Sequence, residues 1–349
     1  MASWLANKRK SNNVESTKAH YASDMPAYTL LGLGTGGGMD TISGANAGFR
    51  HLGGTEAVKT KLGSAKATIF KALTGKECLG DTRDWKKWIN KLEDDVDYLK
   101  SGQPCTDYAA LGKRMGSKGN KGGDLFLLQV LLILEIQPKI IRLEMVPTVL
   151  DTNEGKEFEW VIQDLSEAYD VEWKEIECWK YGDPTARRRI FIVGLRRDIF
   201  EPKGIKWQWP REVCDQTFYP IARDIAVQDK DVPKSYWIDR DHPEWTRPYA
   251  TREIKPGKMQ NLGYAGDPTK PQSAGYSNIP NNIKGFDGNW PTQMSTGGGH
   301  CFPSLGYTEG DSLAATRKTT PIESLRCASV NEDSNLAFAK QHLNKSAGR

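Results

Sequence analysis

The chain has 349 residues, 38% of them apolar, with 48 basic side chains against 44 acidic for a formal charge of +4. That length accommodates one large domain with an insertion or two modest ones. The near balance of charge excludes chain-wide nucleic-acid-coating basicity and leaves only a local basic surface. Six cysteines without CxxC spacing and five histidines in no array with them provide no metal site, so no metal is expected. The longest apolar run, residues 125–136, contains Gln129 and Glu135 and is too short to span a bilayer, so no membrane partner is expected.

Residues 1–27 are polar and basic, lack the apolar core of a signal sequence and read as a flexible tail. Lys8-Arg9-Lys10 within it is either a nuclear address or a solvated charge cluster. An apolar run over 28–33 breaks into Gly34-Thr35-Gly36-Gly37-Gly38, the pattern of a strand entering a glycine turn ahead of a helix over 39–47. Residues 51–56 fit a second strand ending at Glu56, 68–73 a helix, and 98–103 the edge of a third strand. A helix follows over 124–136, with Asp124 as N-cap and Pro138 beyond its end. Residues 139–145 fit a buried strand that carries Glu144 near its end. An amphipathic helix over 158–169 and two closing strands over 171–178 and 189–195 complete the pattern. Alternation of strand and helix across 28–198 predicts an α/β domain built on a doubly wound, mostly parallel sheet. From about residue 199 periodicity fades, prolines and glycines rise, and aromatics such as Trp237, Trp245, Tyr264 and Trp290 lie among charges. Residues 199–315 therefore read as a second, irregular domain, and 316–349 as a segment returning to the first. Residues 317–326 (RKTTPIESLR) read as a helix, with Thr320 as N-cap, Pro321 at the first helical position and Glu323 three beyond the cap.

Gly32-Leu33-Gly34-Thr35-Gly36-Gly37 satisfies GxGxxG directly after a strand, where a ligand can approach the backbone and face a helix N-terminus. Glu56 is then placed to accept hydrogen bonds from a ribose. Together they imply an adenosine-containing cofactor, with a nicotinamide and a methyl-sulfonium fitting equally. Asp81, in Gly80-Asp81-Thr82, would accept from an adenine amino group. In SGQPCTDYAALGKRMGSKGNKGGDLF (101–126), Pro104 stiffens the approach to Cys105. A thiol at the carboxyl edge of such a sheet faces the ligand crevice and is either a nucleophile or a buried structural cysteine. Glu144 ends an apolar strand, where a carboxylate needs partners and is poor core filling. Arg187 and Arg189 alternate along an extended chain and share one face, suited to a ligand oxygen or to surface acids.

The order of these pieces resembles the cytosine-5 DNA methyltransferases over residues 28–330. PCTDYAALGKRMGSKGNKGGDLF followed by PKIIRLEMVP is the most specific part, then YGDPTARRRIFIVG and, near the end, NWPTQMSTGGGHCFPSLGY before RKTTPIESLR. The resemblance implies S-adenosyl-L-methionine as cofactor, bound by Gly32, Gly34, Thr35, Gly36, Gly37, Glu56, Asp81, Pro104 and Leu125. It implies double-stranded DNA as partner and an intracellular, soluble protein wherever that DNA lies. By the same resemblance Cys105 adds to C6 of a flipped-out cytosine, Glu144 holds the N3 and amino edge, and Arg189 with Arg187 holds the O2 side. Lys113, Arg114, Lys118 and Lys121, on a mobile loop over about 109–123, would meet phosphates, and Thr292, Gly297 and Gly298 belong to a recognition segment. The family pattern is broken at Gly32 (usually aromatic), Thr106 and Thr185 (Gln), Met145 (Asn), Ala109 and Leu111 (Ser) and Gly122 (Arg). Its last motif is a faint echo at 339–347. Three other readings stay open: the same chemistry on RNA, cued by Thr106; an impaired DNA-binding homologue or half of a split enzyme, with a second subunit completing the C-terminal motif; and, from the glycine turn alone, a nicotinamide oxidoreductase.

Overall fold

A computed structural model of the chain describes residues 28–36, 43–44, 47–57, 61–104, 107–109, 115–119, 122–238, 245–248, 254–265, 282–290, 304–309, 312–320 and 323. Seven strands form one sheet: β1 (Thr29–Leu33), β2 (Arg50–Thr55), β3 (Cys78–Gly80), β4 (Tyr98–Ser101), β5 (Ile140–Met145), β6 (Tyr169–Glu177) and β7 (Arg188–Arg196). Their spatial order is β3-β2-β1-β4-β5-β7-β6. All run parallel except β7, which is antiparallel to both of its neighbours. Helices α1 (Lys61–Thr74), α2 (Gly123–Ile136) and α3 (Lys156–Ser166) lie between strands. The doubly wound α/β class read from the alternation is the class found. Strand order reverses between β1 and β4, with β2 and β3 laid down on one side and β4 and β5 on the other, so the crevice at the carboxyl ends of these two parallel strands is where such a sheet accepts a ligand.

The strands beside that crevice are apolar because both of their faces are covered. Leu31, Leu33, Leu99, Ile141 and Leu143 are fully or nearly fully buried, packed with Phe126, Val130 and Ile133 of α2 and with Phe158, Val161 and Leu165 of α3. β5 alternates instead: Ile141, Leu143 and Met145 are buried, while Arg142 and Glu144 take the other face.

Three local expectations change. Asp124 is not the N-cap of α2. Gly122, with φ +109°, takes that place, and Asp124 in the first turn receives a two-pronged hydrogen bond from Arg83 (2.7 Å on each side). The helix expected over 158–169 ends at Ser166, and Tyr169 instead opens β6, fully buried, its hydroxyl donating to the Pro138 carbonyl at 2.8 Å. Residue 317 does not begin a helix, because the strand Ser312–Lys318 extends through it. The cap signal after it is real: Thr320 N–H donates to Glu323 Oε2 at 2.8 Å, and Glu323 N–H returns a bond to Thr320 Oγ1 at 3.3 Å. Of the helix expected over 39–47, residues 43–44 are helical and most of the rest lies outside the described residues.

The segment read as irregular carries a second sheet. Its strands are β8 (Trp237–Ile238), β9 (Trp245–Pro248), β10 (Asn261–Ala265), β11 (Asn282–Gly285), β12 (Ser304–Glu309) and β13 (Ser312–Lys318), in the order β8-β13-β12-β11-β10-β9. β11 and β12 pair in parallel and the other neighbours are antiparallel. Strands this short, set among prolines and glycines, show no sustained period. The two sheets meet at a β-bridge between Thr185 and Trp290. Trp290 N–H donates to the Pro184 carbonyl at 2.7 Å, Ala186 N–H donates to the Trp290 carbonyl at 2.8 Å, and the buried Asn289 amide reaches the Pro184 and Pro220 carbonyls. Among the described residues no helix is long and apolar enough to cross a membrane.

Candidate active site

The glycine turn after β1 sits on a chain of buried hydrogen bonds. Gly34 N–H donates to Thr55 Oγ1 at 3.0 Å, the Thr55 and Thr82 hydroxyls share a bond of 2.7 Å, and Gln103 Nε2 donates to Thr82 Oγ1 at 2.9 Å. One relay therefore joins the carboxyl ends of β1 and β2 to the segments that follow β3 and β4. Gly34 has φ +61°, and a β-carbon there would lie 2.7 Å from Gln103 Oε1, so both conformation and space require glycine.

Above this relay opens a cleft. Gly34, Glu56, Asp81, Pro104 and Leu125, all expected from sequence to bind a cofactor, line it. Thr82, Arg83, Gln103 and Gly122 line it too and were not foreseen. Gly32 lies within β1, packed against the Thr35 methyl and Lys100, and Thr35 is buried with its N–H on the Thr55 carbonyl at 3.0 Å. Neither is among the cleft-lining residues; both shape the turn. Gly36 has φ +57° with open space at its side-chain position, and Gly37 lies outside the described residues. Glu56 is held by Lys66 at 3.5 Å and by Ala57 N–H at 3.3 Å, while Asp81 accepts from Arg83 N–H at 2.9 Å. Two carboxylates from adjacent strand ends, an apolar wall of Pro104 and Leu125, and exposed turn backbone suit an adenosine. The carboxylates match hydroxyl and amino donors, and the wall matches a flat ring.

A second group of charges lies at the β5 end. Glu144 Oε1 accepts from Arg187 Nη2 and from Arg189 Nε at 2.9 Å. Burial would raise the Glu144 pKa, but the charges of Arg187 and Arg189 outweigh it and hold the carboxyl below its ordinary range. Burial would likewise lower the Arg187 pKa, and the Glu144 carboxylate reverses that shift. Across the sheet Ser101 of β4 pairs with Leu143, and a β-carbon built on Gly102 would lie 3.8 Å from Glu144 Oε2. The segment running from β4 toward Cys105 thus passes beside the carboxylate, between it and the cleft that Pro104 lines. Cys105 itself lies outside the described residues. The α2 N-terminus is tied to the same segment. Gly123 N–H donates to Asp107 Oδ2 at 3.0 Å, and a β-carbon on Gly122 would lie 2.7 Å from the Pro104 carbonyl. Cys178 is a thiol near the arginines, but burial pushes it up to about 11, with Asp183 adding, so it stays protonated.

Of the expected DNA contacts, Lys118 is exposed at the end of a short turn, Gly116–Lys118. Lys113, Arg114, Lys121, Thr292, Gly297 and Gly298 lie outside the described residues. Among the described residues no group of three or more His, Cys, Asp or Glu side chains is arranged to hold a metal ion.

A model of the family described as C-5 cytosine-specific DNA methylase matches residues 39–348. This chain belongs to that family. The methylase match runs through the segment at 339–347 where the last motif is faint. The chain is 32% identical over 248 residues to the type II methyltransferase M.Bsp6I of a Bacillus species, covering 64% of this chain and 76% of that one. It is 29% identical over 145 residues to M.Sau96I of Staphylococcus aureus, covering 41% of this chain and 32% of the relative. The solved methyltransferase EhMeth of Entamoeba histolytica shares the fold, with a TM-score of 0.57 at 13% identity over 90% of this chain and 89% of that one. Family membership makes the chain a DNA (cytosine-5) methyltransferase with S-adenosylmethionine as methyl donor, and the adenosine-type cleft fits that donor.

Thr55, Thr82 and Gln103 escaped the sequence reading. Gln103 stands next to the Pro-Cys pair and Thr82 next to Asp81, but only the sheet order makes them neighbours.

Proposed function

We propose that Cys105 is the nucleophile of this methylase, that Glu144 and Arg189, with Arg187, hold the target cytosine, and that the second sheet belongs to the target-recognition part. The observation that carries the reading is the carboxylate of Glu144, paired with both arginines, beside the segment from β4 that leads to residue 105. Gly34, Glu56, Asp81 and Leu125 would hold S-adenosylmethionine, which supplies the electrophilic methyl group that C5 accepts.

Cytosine C5 is a poor nucleophile, and the protein's part is to change that. The Cys105 thiolate adds to C6; the ring electrons move toward N3, which takes a proton from solvent water, and C5 becomes the nucleophilic end of an enamine. Glu144, kept ionised by its arginines, accepts from the exocyclic amino group and from the protonated N3. The arginines face the developing charge at O2. Once C5 is methylated, its proton passes to water, the thiolate departs, and release of the N3 proton to solvent restores the neutral aromatic ring. A base inside a duplex cannot reach this edge, so it is flipped out. Lys113, Arg114, Lys118 and Lys121 would neutralise phosphates on the flanking strand.

Duplex DNA containing 5-fluorocytosine, incubated with the protein and S-adenosylmethionine, is expected to form a covalent adduct that Cys105→Ser does not form. An absence of adduct with the wild-type chain on any cytosine-bearing DNA rejects the reading. Competition with transfer RNA separates the RNA alternative. Adduct formation by the isolated chain removes the need for a second subunit, a reading supported only by the divergent segment at 339–347.

A further inference from the structure

Glu157, in the first turn of α3, gathers both flanks of the segment that follows the Pro-Cys pair. Tyr108 Oη donates to its Oε2 at 2.5 Å. Ser117 gives its N–H to Oε2 at 3.0 Å and its hydroxyl to Oε1 at 2.7 Å. Asn153 Nδ2 adds a bond of 2.6 Å to Oε1. Asn153 and Glu154 have φ +52° and +60°, in the left-handed region that non-glycine residues avoid, so the turn that delivers this amide is held against its own preference. Burial would raise the Glu157 pKa, and bonds from Tyr108, Ser117 and Asn153 bring it below its ordinary range, so the acceptor is a full carboxylate.

The surrounding contacts narrow what this carboxylate does. Gly116 N–H donates to the Asp107 carbonyl at 3.2 Å, Thr148 donates to the Tyr108 carbonyl, and the Tyr108 ring packs edge-on against Phe126 with centroids 5.4 Å apart. On the other side, Gln103 is fixed by the threonine relay and Pro104 abuts Gly122. Gln103-Pro104 on one side of the Cys105 step and Asp107-Tyr108 on the other are therefore both pinned. Glu157 neither lines the cleft nor belongs to the Glu144 group.

We propose that Glu157 is a positioning residue for methyl transfer: by holding Tyr108 and Ser117 it sets where the backbone emerges on the far side of Cys105. The inference rests on the reading of Cys105 as nucleophile. The test is the single-turnover rate of adduct formation on 5-fluorocytosine duplex DNA at saturating S-adenosylmethionine, beside cofactor affinity by calorimetry and thermal melting. Glu157→Ala is expected to slow adduct formation by about tenfold or more, because small misplacements of a reacting group are costly. Cofactor Kd should stay within about twofold. Glu157→Gln, which keeps one carbonyl acceptor, should recover part of the rate. Tyr108→Phe and Ser117→Ala each remove one donor and should slow the same step severalfold, which keeps the test intact if Glu157→Ala does not fold. Rates within about twofold of wild type in the single-donor variants, or in Glu157→Ala with only its melting temperature lowered, overturn the proposal. A wild-type chain that forms no adduct overturns the nucleophile reading, and this proposal with it.

Discussion

Thr82→Val tests whether the buried relay beneath the cleft supports both the fold and the cofactor site. Thr82 is 3% exposed, and its partners Thr55 and Gln103 are 0% and 5% exposed. Valine keeps the volume and loses the hydroxyl, which is why the exchange is not neutral in a core. It removes the 2.7 Å bond to Thr55 and the 2.9 Å bond from Gln103. Thr55 Oγ1 keeps Gly34 N–H as a partner, whereas the Gln103 amide loses its acceptor in a buried setting. Two lost bonds at about 0.5–1.5 kcal/mol each, plus about 1–3 kcal/mol for a stranded donor, give a loss of about 2–6 kcal/mol. At roughly 2 °C per kcal/mol for a chain of this size, Tm should fall by about 4–12 °C. Because Gly34 loses its tie to the β4 segment, S-adenosylmethionine affinity should fall by about tenfold, the equivalent of about 1.4 kcal/mol. Calorimetric melting and titration of wild type, Thr82→Val and Thr82→Ser measure both effects. Thr82→Ser keeps the hydroxyl and should stay within about 3 °C of wild type, having lost one methyl worth about 0.8 kcal/mol. If the valine and serine variants melt together and bind cofactor equally, the relay has no such role.

Glu144 contributes stability that depends on pH. Its folded pKa lies below the unfolded value, so the stabilisation is present above the unfolded pKa and is lost as pH falls through the folded pKa. In urea denaturation, the wild-type advantage over Glu144→Gln should be complete above about pH 5 and shrink below about pH 4; a constant difference down to pH 3 contradicts this. Arg317 and Glu323 are both fully buried and bonded at 2.6 and 3.0 Å, so Glu323→Ala removes the nearest carboxylate, leaving Asp229 at 3.7 Å, and should cost about 3 kcal/mol. The double variant Arg317→Met, Glu323→Leu should recover most of that, and a single-variant cost below about 1 kcal/mol in urea melts would disprove the pairing. Arg83 and Asp124 pair at the rim with side chains 42% and 45% exposed, so a double-mutant cycle should give about 0.5–1 kcal/mol, largely gone in roughly 1 M salt. Coupling that survives such salt would show a pair better shielded than its exposure indicates.

Local pattern carried a large part of this protein. The apolar run at β1 is legible because a parallel strand there is covered on both faces, and Glu56, Asp81 and Glu144 stand out because an acid at such a strand end has no core role. Thr320 and Glu323 declare a helix cap that the hydrogen bonds bear out, since a cap is made within four residues. The strand through Arg317 and the short strands of the second sheet were misread or missed, because runs of two to seven residues rich in glycine and proline show no period.

Sequence alone thus determined the order of the chemical groups, the layered α/β class and the family likeness, all of which depend on neighbours along the chain. Only the tertiary structure decided that Thr55, Thr82 and Gln103 form one relay, that Arg187 and Arg189 share one oxygen of Glu144, and that Glu157 receives Tyr108 and Ser117. Those partners are 21 to 49 residues apart. Their meeting depends on β1 lying between β2 and β4 and on β7 reversing beside β5, an arrangement set by burial of the whole sheet and written in no single segment.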